Sequence, residues 1–252
     1  MASANLLASL LVFVTPLQAA PSRALQAVTT KLNAPDYGVR ERALALIADV
    51  PRTEIEPLRE ALFAALRTDT AAVRRGVHPK DEGFAEYYGE LLGALMKTLG
   101  PDLRAVMTPA RATALVEAIY NEDSEYAKTL GTIGQAMVEP AQQCAQSANL
   151  DVRGSCLAVI GWLCWADATE ANAARRLQPN SRDALIRTLR TEASMGTAII
   201  TRLHAVRALG YAHDAGSIGL LGHIVATTPE TDWDSRYFLS VVATTLANFI
   251  LR

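Results

Sequence analysis

The stretch Ala198–Leu221, AIITRLHAVRALGYAHDAGSIGLL, decides how the rest of the chain is read. Thr201, Ala205, Ala208 and Leu209 recur at helical spacing, and Gly210 closes the apolar run. Asp214 is placed to cap a second helix that carries Ile218, Leu220 and Leu221. Two antiparallel helices joined by a short turn follow from that pattern. Similar patterns recur along the chain, so it reads as stacked helical hairpins, each burying its apolar face against its neighbours. Such an architecture points to recognition on an extended surface and to no particular chemistry.

Outward from this stretch, helical spacing is expected near 22–33, 37–50, 55–67, 83–99, 102–107, 109–119, 123–137, 139–148, 150–166, 181–193, 198–211, 215–227 and 235–251. Most connections carry turn chemistry, as in Asn33-Ala34-Pro35-Asp36 and Pro179-Asn180-Ser181. Two are longer and more polar, Gly76 to Gly83 and Ala166 to Asn180. Alanine and leucine dominate, and alternating runs of β-branched and aromatic residues are absent, which makes the chain all-α. With 252 residues, 50% hydrophobic and 20% charged, it buries a continuous core, read as one elongated domain over residues 20–252. A net charge of −2 supplies no global attraction to nucleic acid or to an anionic membrane.

Residues 1–19 read differently. An apolar core from Leu6 to Val14, then Pro16, then Ala19 and Ala20 before Pro21, is the layout of a secretory signal peptide cut after Ala19. The alternative is a buried first helix of the fold. The apolar run falls short of the ~20 residues that cross a bilayer, so no stable membrane insertion is expected after cleavage. The expected location is the periplasm or the extracellular space.

Three segments carry a family resemblance. Asp36-x-x-Val39-Arg40-x-x-Ala43, Asn149-x-x-Val152-Arg153-x-x-Cys156-x-x-Val159-Ile160-Gly161 and Thr201-Arg202-x-x-Ala205-x-x-Ala208-Leu209-Gly210 resemble the HEAT-like repeat, of the kind also found in phycobilin lyase-related proteins. The resemblance implies a right-handed α-α superhelix, a solenoid of antiparallel hairpins, in which Arg40, Arg153 and Arg202 bond acceptors of the adjacent repeat. Ala43, Cys156 and Ala205 are small enough for the paired helix to come close, while Val39, Val152, Ile160 and Leu209 fill the space between hairpins. HEAT-like hydroxylases hold iron with repeated His-Glu pairs, and this sequence has none.

Several side chains are candidates for function. Phe84, Tyr87, Tyr88, Leu91 and Leu95 form a stripe that is expected in the core. Trp162 and Trp165 share one helix face, expected to be a shared core face; a groove lined by both indoles is the alternative. The histidines stand at no metal-ligand spacing, no phosphate loop or nucleophile motif is present, and neither a cofactor nor a metal is expected. Cys144 and Cys156 flank the turn at Asn149 and Leu150 at similar distances, so a Cys144–Cys156 disulfide is expected. Cys164 is then buried and free, being about 12 Å further along the helix; the alternative is three buried thiols. From Arg175 to Arg207 seven arginines face two acids, whereas from Pro79 to Tyr126 four basic residues face nine acids. In a solenoid these blocks separate along the axis, and Arg175, Arg176, Arg187 and Arg190 are the expected docking surface for an acidic protein or peptide. The function expected is that of an exported interaction module or scaffold without catalytic activity. The alternatives are a catalytic HEAT-like protein, lyase-like or acting in nucleic-acid repair, and a purely structural envelope component.

Overall fold

The structure is a computed structural model that describes residues 20–74, 82–100, 103–118 and 124–251. Residues 1–19 and 76–81, on which the signal segment and most of the first polar loop fall, lie outside them. Among the described residues every regular element is helical. They are α1 (Arg23–Leu32), α2 (Tyr37–Ala45), α3 (Ile55–Arg74), α4 (Glu82–Leu99), α5 (Pro109–Glu117), α6 (Ser124–Gly131), α7 (Val138–Cys144), α8 (Leu150–Thr169), α9 (Pro179–Met195), α10 (Ile199–Tyr211), α11 (Ile218–Thr227) and α12 (Trp233–Ile250). No described helix is long and apolar enough to cross a membrane.

Helix starts follow the side chains that can satisfy free backbone donors. The Asp36 carboxylate accepts from the Val39 amide at 2.8 Å, and the Asn149 side chain accepts from Asp151 at 3.0 Å and Val152 at 3.3 Å. Thr108 caps α5 with Pro109 at its first position, and Asp232 and Ser235 form a reciprocal capping box on α12. Three expectations change. Residues 103–106 form a turn rather than part of a helix at 102–107, with Leu103 bonded to the carbonyl of Gly100, whose φ is 59°. The helix expected over 123–137 stops at Gly131, because Gly134 takes φ 83° and a single 3-10 turn, Gln135–Met137, leads into α7. Asp214 does not cap α11, whose N-cap Ser217 makes no side-chain cap bond; the Asp214 carboxylate is held instead by Arg190 at 2.6 Å and by the Ser217 hydroxyl.

The helices sort into two sets. The even-numbered ones pack on each other, α2 on α4, α6 on α8, α8 on α10 and α10 on α12. The odd-numbered ones also meet in order, from α1 on α3 to α9 on α11. Small residues let the even set approach closely. A Cβ at Gly161 would lie 2.6 Å from the Ala208 carbonyl oxygen, and one at Gly131 would lie 2.7 Å from the Trp162 backbone. A Cβ at Gly154 would collide with the buried His204 ring. Ala43, Cys156 and Ala205 are fully buried, as are Ile160 and Leu209, while Val39 is only half-buried.

One device recurs three times. Arg153 donates from Nε to the Ser147 carbonyl of its own hairpin turn at 2.8 Å and reaches Glu192 of α9, in the next hairpin, at 3.8 Å. Arg40 does the same with the Ala34 carbonyl and with Asp69 of α3 at 2.7 Å. Arg202 bonds the Ala193 carbonyl at 3.0 Å and lays its guanidinium 4.7 Å from the centre of the Phe238 ring of α12. Each arginine therefore ties its own turn and touches the hairpin that follows.

Around Asp69 the first hairpins build a buried polar cluster. Asp69 accepts from Arg40 and, at 3.0 Å, from the Tyr87 hydroxyl; Thr70 and Tyr88 pair at 2.8 Å, and Tyr88 also donates to the Ala118 carbonyl. Burial pushes the Asp69 carboxyl above its usual range against the pull of Arg40, and the Tyr87 phenol is pushed up by the same burial and by the Asp69 charge.

Candidate functional site

The aromatic residues of α8 do not form a closed core face. Trp162 and Trp165, three residues apart, are both half-buried. Trp162 stacks on Tyr211 of α10 with ring centres 4.6 Å apart and planes 13° apart, and Trp165 meets Trp162 edge-on at 5.5 Å. Gly131 sets this arrangement, since only a residue without a side chain lets α6 come so close to the Trp162 backbone. Lys128, one turn earlier on α6, holds its ammonium 5.7 Å from the Trp162 ring centre. These rings open on a groove of 570 Å³ between α6, α8, α10 and α12, within the size range of ligand sites. The expected core face and its alternative, a groove lined by both indoles, thus meet in one place: Trp162 packs against the core on one side and, with Trp165, lines the groove on the other.

The remaining walls come from the last two even helices. Arg207 and His213 stand on the α10 side, and Arg207 donates to the Tyr237 hydroxyl at 2.8 Å. His213 adopts φ 49° at the end of α10, a left-handed conformation that costs a residue with a side chain about 1 kcal/mol and here sets the imidazole at the groove rim. Gly210 of α10 and Val241, Thr244, Thr245, Asn248 and Phe249 of α12 complete the lining, in which none of the described residues is Asp or Glu. The Trp162 indole N–H is buried and has no hydrogen-bond partner, against the rule that buried donors are satisfied. Aromatic faces beside cationic, hydroxyl and amide groups give the groove apolar and polar walls side by side. Among the described residues no group of three or more His, Cys, Asp or Glu is placed to hold a metal ion. A second depression of 620 Å³, between α5, α7 and the start of α9, is lined by Pro109, Thr113, Gln135, Glu139 and Gln143 and, among the described residues, by no aromatic ring.

The four arginines expected to form a docking surface are placed differently from one another. Arg175 and Arg176 are exposed in the 3-10 segment before α9, and Arg176 turns back to the Glu170 carbonyl at 2.9 Å. Arg187 and Arg190 lie about 12 and 17 Å along the axis from the start of α9, at ~1.5 Å per residue. Arg187 is exposed, whereas Arg190 grips Asp214 with Nε at 3.0 Å and Nη2 at 2.6 Å. Arg182, from the same basic window, pairs with Asp167 of α8 at 3.2 Å. Part of the local positive balance is therefore neutralised by acids from other windows.

Cys144 and Cys156 are joined, with Cα atoms 5.8 Å apart, which pins the end of α7 to α8. Cys164 is free and buried, and burial pushes its thiol up to about 12. Sequence reasoning weighed the Trp162/Trp165 groove but missed Lys128, Arg207 and Tyr211, whose contacts come from different hairpins. The available signal was the spacing Trp162-x-x-Trp165 on α8.

No protein-family model matches this chain, and no curated protein matches it. Among solved structures, the crystal structure of an engineered protein aligns over 91% of this chain and 98% of that chain with 15% identity and a TM-score of 0.41, a likeness on which nothing below rests.

Proposed function

We propose that the chain is an exported HEAT-like interaction module, a right-handed superhelix of helical hairpins over residues 20–252 that receives a protein or peptide partner on its even-numbered helices. The recurring arginine device and the ordered packing of the even helices support the superhelical reading. The Cys144–Cys156 bond suits an oxidising compartment outside the cytoplasm, where the signal-like residues 1–19 would direct the chain.

The observation that carries the binding role is the groove itself: the half-buried rings of Trp162, Trp165 and Tyr211 line it, with Lys128 and Arg207 beside them. A face built only for stability would cover those rings with the next helix. The test is retention of envelope proteins on immobilised wild type and on Trp165→Ala, with mass identification of what is kept. The reading expects a species retained by wild type and lost from the variant, and an N-terminal read of exported protein that begins at Ala20 or Pro21. An unchanged retained set would remove the groove from the account, and intact Met1 in the cytoplasm would remove export.

A further inference from the structure

The large apolar side chains that the fold leaves in solvent are gathered on one hairpin. Among the described residues, six of the nine that are exposed fall between Ile218 and Leu251: Ile218, Val225, Trp233, Tyr237, Ile250 and Leu251. Phe238 lies under Arg202 and Thr245 against Gly210, so these two mark the side of α12 that packs on α10. The opposite side carries Tyr237, Ser240, Ala243, Thr244 and Ala247 at intervals of three or four residues, all exposed. At its start Trp233 stacks on Tyr237 with ring centres 5.2 Å apart and remains 72% exposed. Charge is missing from most of this face, because the sequence has no Asp, Glu, Lys, Arg or His from Tyr237 to Leu251. The solvent faces of other long helices differ, with Glu56, Glu60 and Arg67 exposed on α3 and Glu86, Glu90 and Lys97 on α4. An exposed face that is apolar and charge-free over four turns has the character of a contact surface.

We propose that this face pairs with its own counterpart on a second copy of the chain, the two α12 helices lying antiparallel across a two-fold axis at the level of Val242. The pattern along the helix argues for a second copy. Across a two-fold axis residue i meets residue j and j meets i, so one face serves both sides only where its bulk and its hollows exchange places along the helix. They do so here: about Val242, Trp233 stands opposite Leu251, Tyr237 opposite Ala247, and Ser240 opposite Thr244 of the other copy. A ring then falls on an alanine and a hydroxyl on a hydroxyl, each twice. Charge agrees. Two identical charged faces would repel, whereas this one has a single cation, Arg236, which the pairing brings to Asn248 in the last turn of the opposite helix. Free backbone carbonyls and the negative end of the helix dipole receive a cation there. Extent sets the strength: the helix is ~27 Å long and ~10 Å across, at the small end of specific interfaces, so the copies should exchange with a dissociation constant on the order of 10 to 100 µM.

The test is sedimentation of the full chain over a dilution series from about 500 to about 1 µM, which brackets an interface of that strength. Wild type should pass from two chains to one as it is diluted. Ala243→Arg, at an exposed position that does not line the groove, should weaken the pairing at least tenfold, whereas Glu86→Arg, exposed on α4, should leave it unaltered. Orientation is read from nitroxide labels placed on Ser240→Cys and, separately, on Ile250→Cys, since Cys164 is buried and Cys144 and Cys156 are joined. In the antiparallel pair the Ile250 labels should be about 15 Å further apart than the Ser240 labels, from ~1.5 Å of rise per residue on each side of the axis. A single chain at every concentration would overturn the proposal, and that result needs no variant to fold. Dimers indifferent to Ala243→Arg would overturn it by placing association elsewhere, and equal label distances would overturn the antiparallel pairing. Trp165→Ala, which tests the groove, should leave the dimer intact, so the two readings fail separately.

Discussion

Two aromatic clusters in this molecule are built from similar residues and end in opposite states. Around α2, α3 and α4, Tyr37, Phe84, Tyr87 and Tyr88 stack in pairs 5.1 to 5.8 Å apart, and the hydroxyls of Tyr87 and Tyr88 end on Asp69, Thr70 and the Ala118 carbonyl. Phe84, Tyr87 and Tyr88 are buried. Around α8, α10 and α12, Trp162, Trp165 and Tyr211 stack as closely but stay partly open, and one indole N–H has no partner. The difference teaches that aromatic content alone does not separate a closed core from an open face. What separates them is whether the polar tips are answered and whether the next helix closes the face.

Among changes to a polar or covalent tie, the largest expected effect breaks the closed cluster. Asp69→Ala leaves the Arg40 guanidinium and the Tyr87 hydroxyl without their acceptor in a buried site and should cost about 3 kcal/mol in denaturant unfolding. A loss below 1 kcal/mol would mean that water already serves those groups. Next comes the covalent tie beneath the open cluster. Replacing Cys144 and Cys156 together by Ala frees a loop of sequence separation 12 and should lower stability by about 2 to 3 kcal/mol. Peptide mapping of exported protein should first find that pair oxidised; three free thiols would end the premise.

Matched deletions of a single polar atom sharpen the contrast. Tyr87→Phe removes a hydrogen bond to a carboxylate and should cost about 1.5 kcal/mol, while Trp162→Phe removes an N–H with no partner and should cost only what its lost ring area requires, under about 1 kcal/mol. Equal losses in chemical denaturation would erase the distinction between satisfied and unsatisfied rings. The smallest effect concerns Cys164, between the two groove indoles on α8. Buried, with its thiol pushed up to about 12, it should resist alkylation in native protein at pH 8 and react only in denaturant. Rapid native labelling would show α8 opening, which the account does not allow.

The all-α character was legible because apolar residues recur at helical spacing and Asp36 and Asn149 mark helix starts with oxygens that reach free amides. Arg40, Arg153 and Arg202 were legible as structural residues for a similar local reason: each bonds a carbonyl at its own turn. The break at Gly134 was hidden because Met137 keeps the apolar spacing across it and is buried on the far side. Charge counted along the sequence misled for Arg182 and Arg190, since Asp167 and Asp214, which answer them, belong to other segments. The groove was legible only as an alternative, and its other walls escaped, for a related reason. Whether a face is covered depends on the neighbouring helix, and α10 offers Gly210 and the flat ring of Tyr211 where a bulky aliphatic residue would have closed it.

The central claim, that one aromatic cluster holds the fold and the other holds a partner, is tested most directly by Tyr87→Ala and Trp165→Ala measured side by side. Melting temperature and dissociation constant for the retained partner would be read on both. The account predicts that Tyr87→Ala, which empties a fully buried site, loses about 3 to 5 kcal/mol and melts roughly 10 °C lower, with the dissociation constant unchanged at temperatures where it is folded. Trp165→Ala should melt within about 4 °C of wild type and bind at least tenfold more weakly. The reverse pattern, with binding lost from Tyr87→Ala and kept by Trp165→Ala, would contradict it.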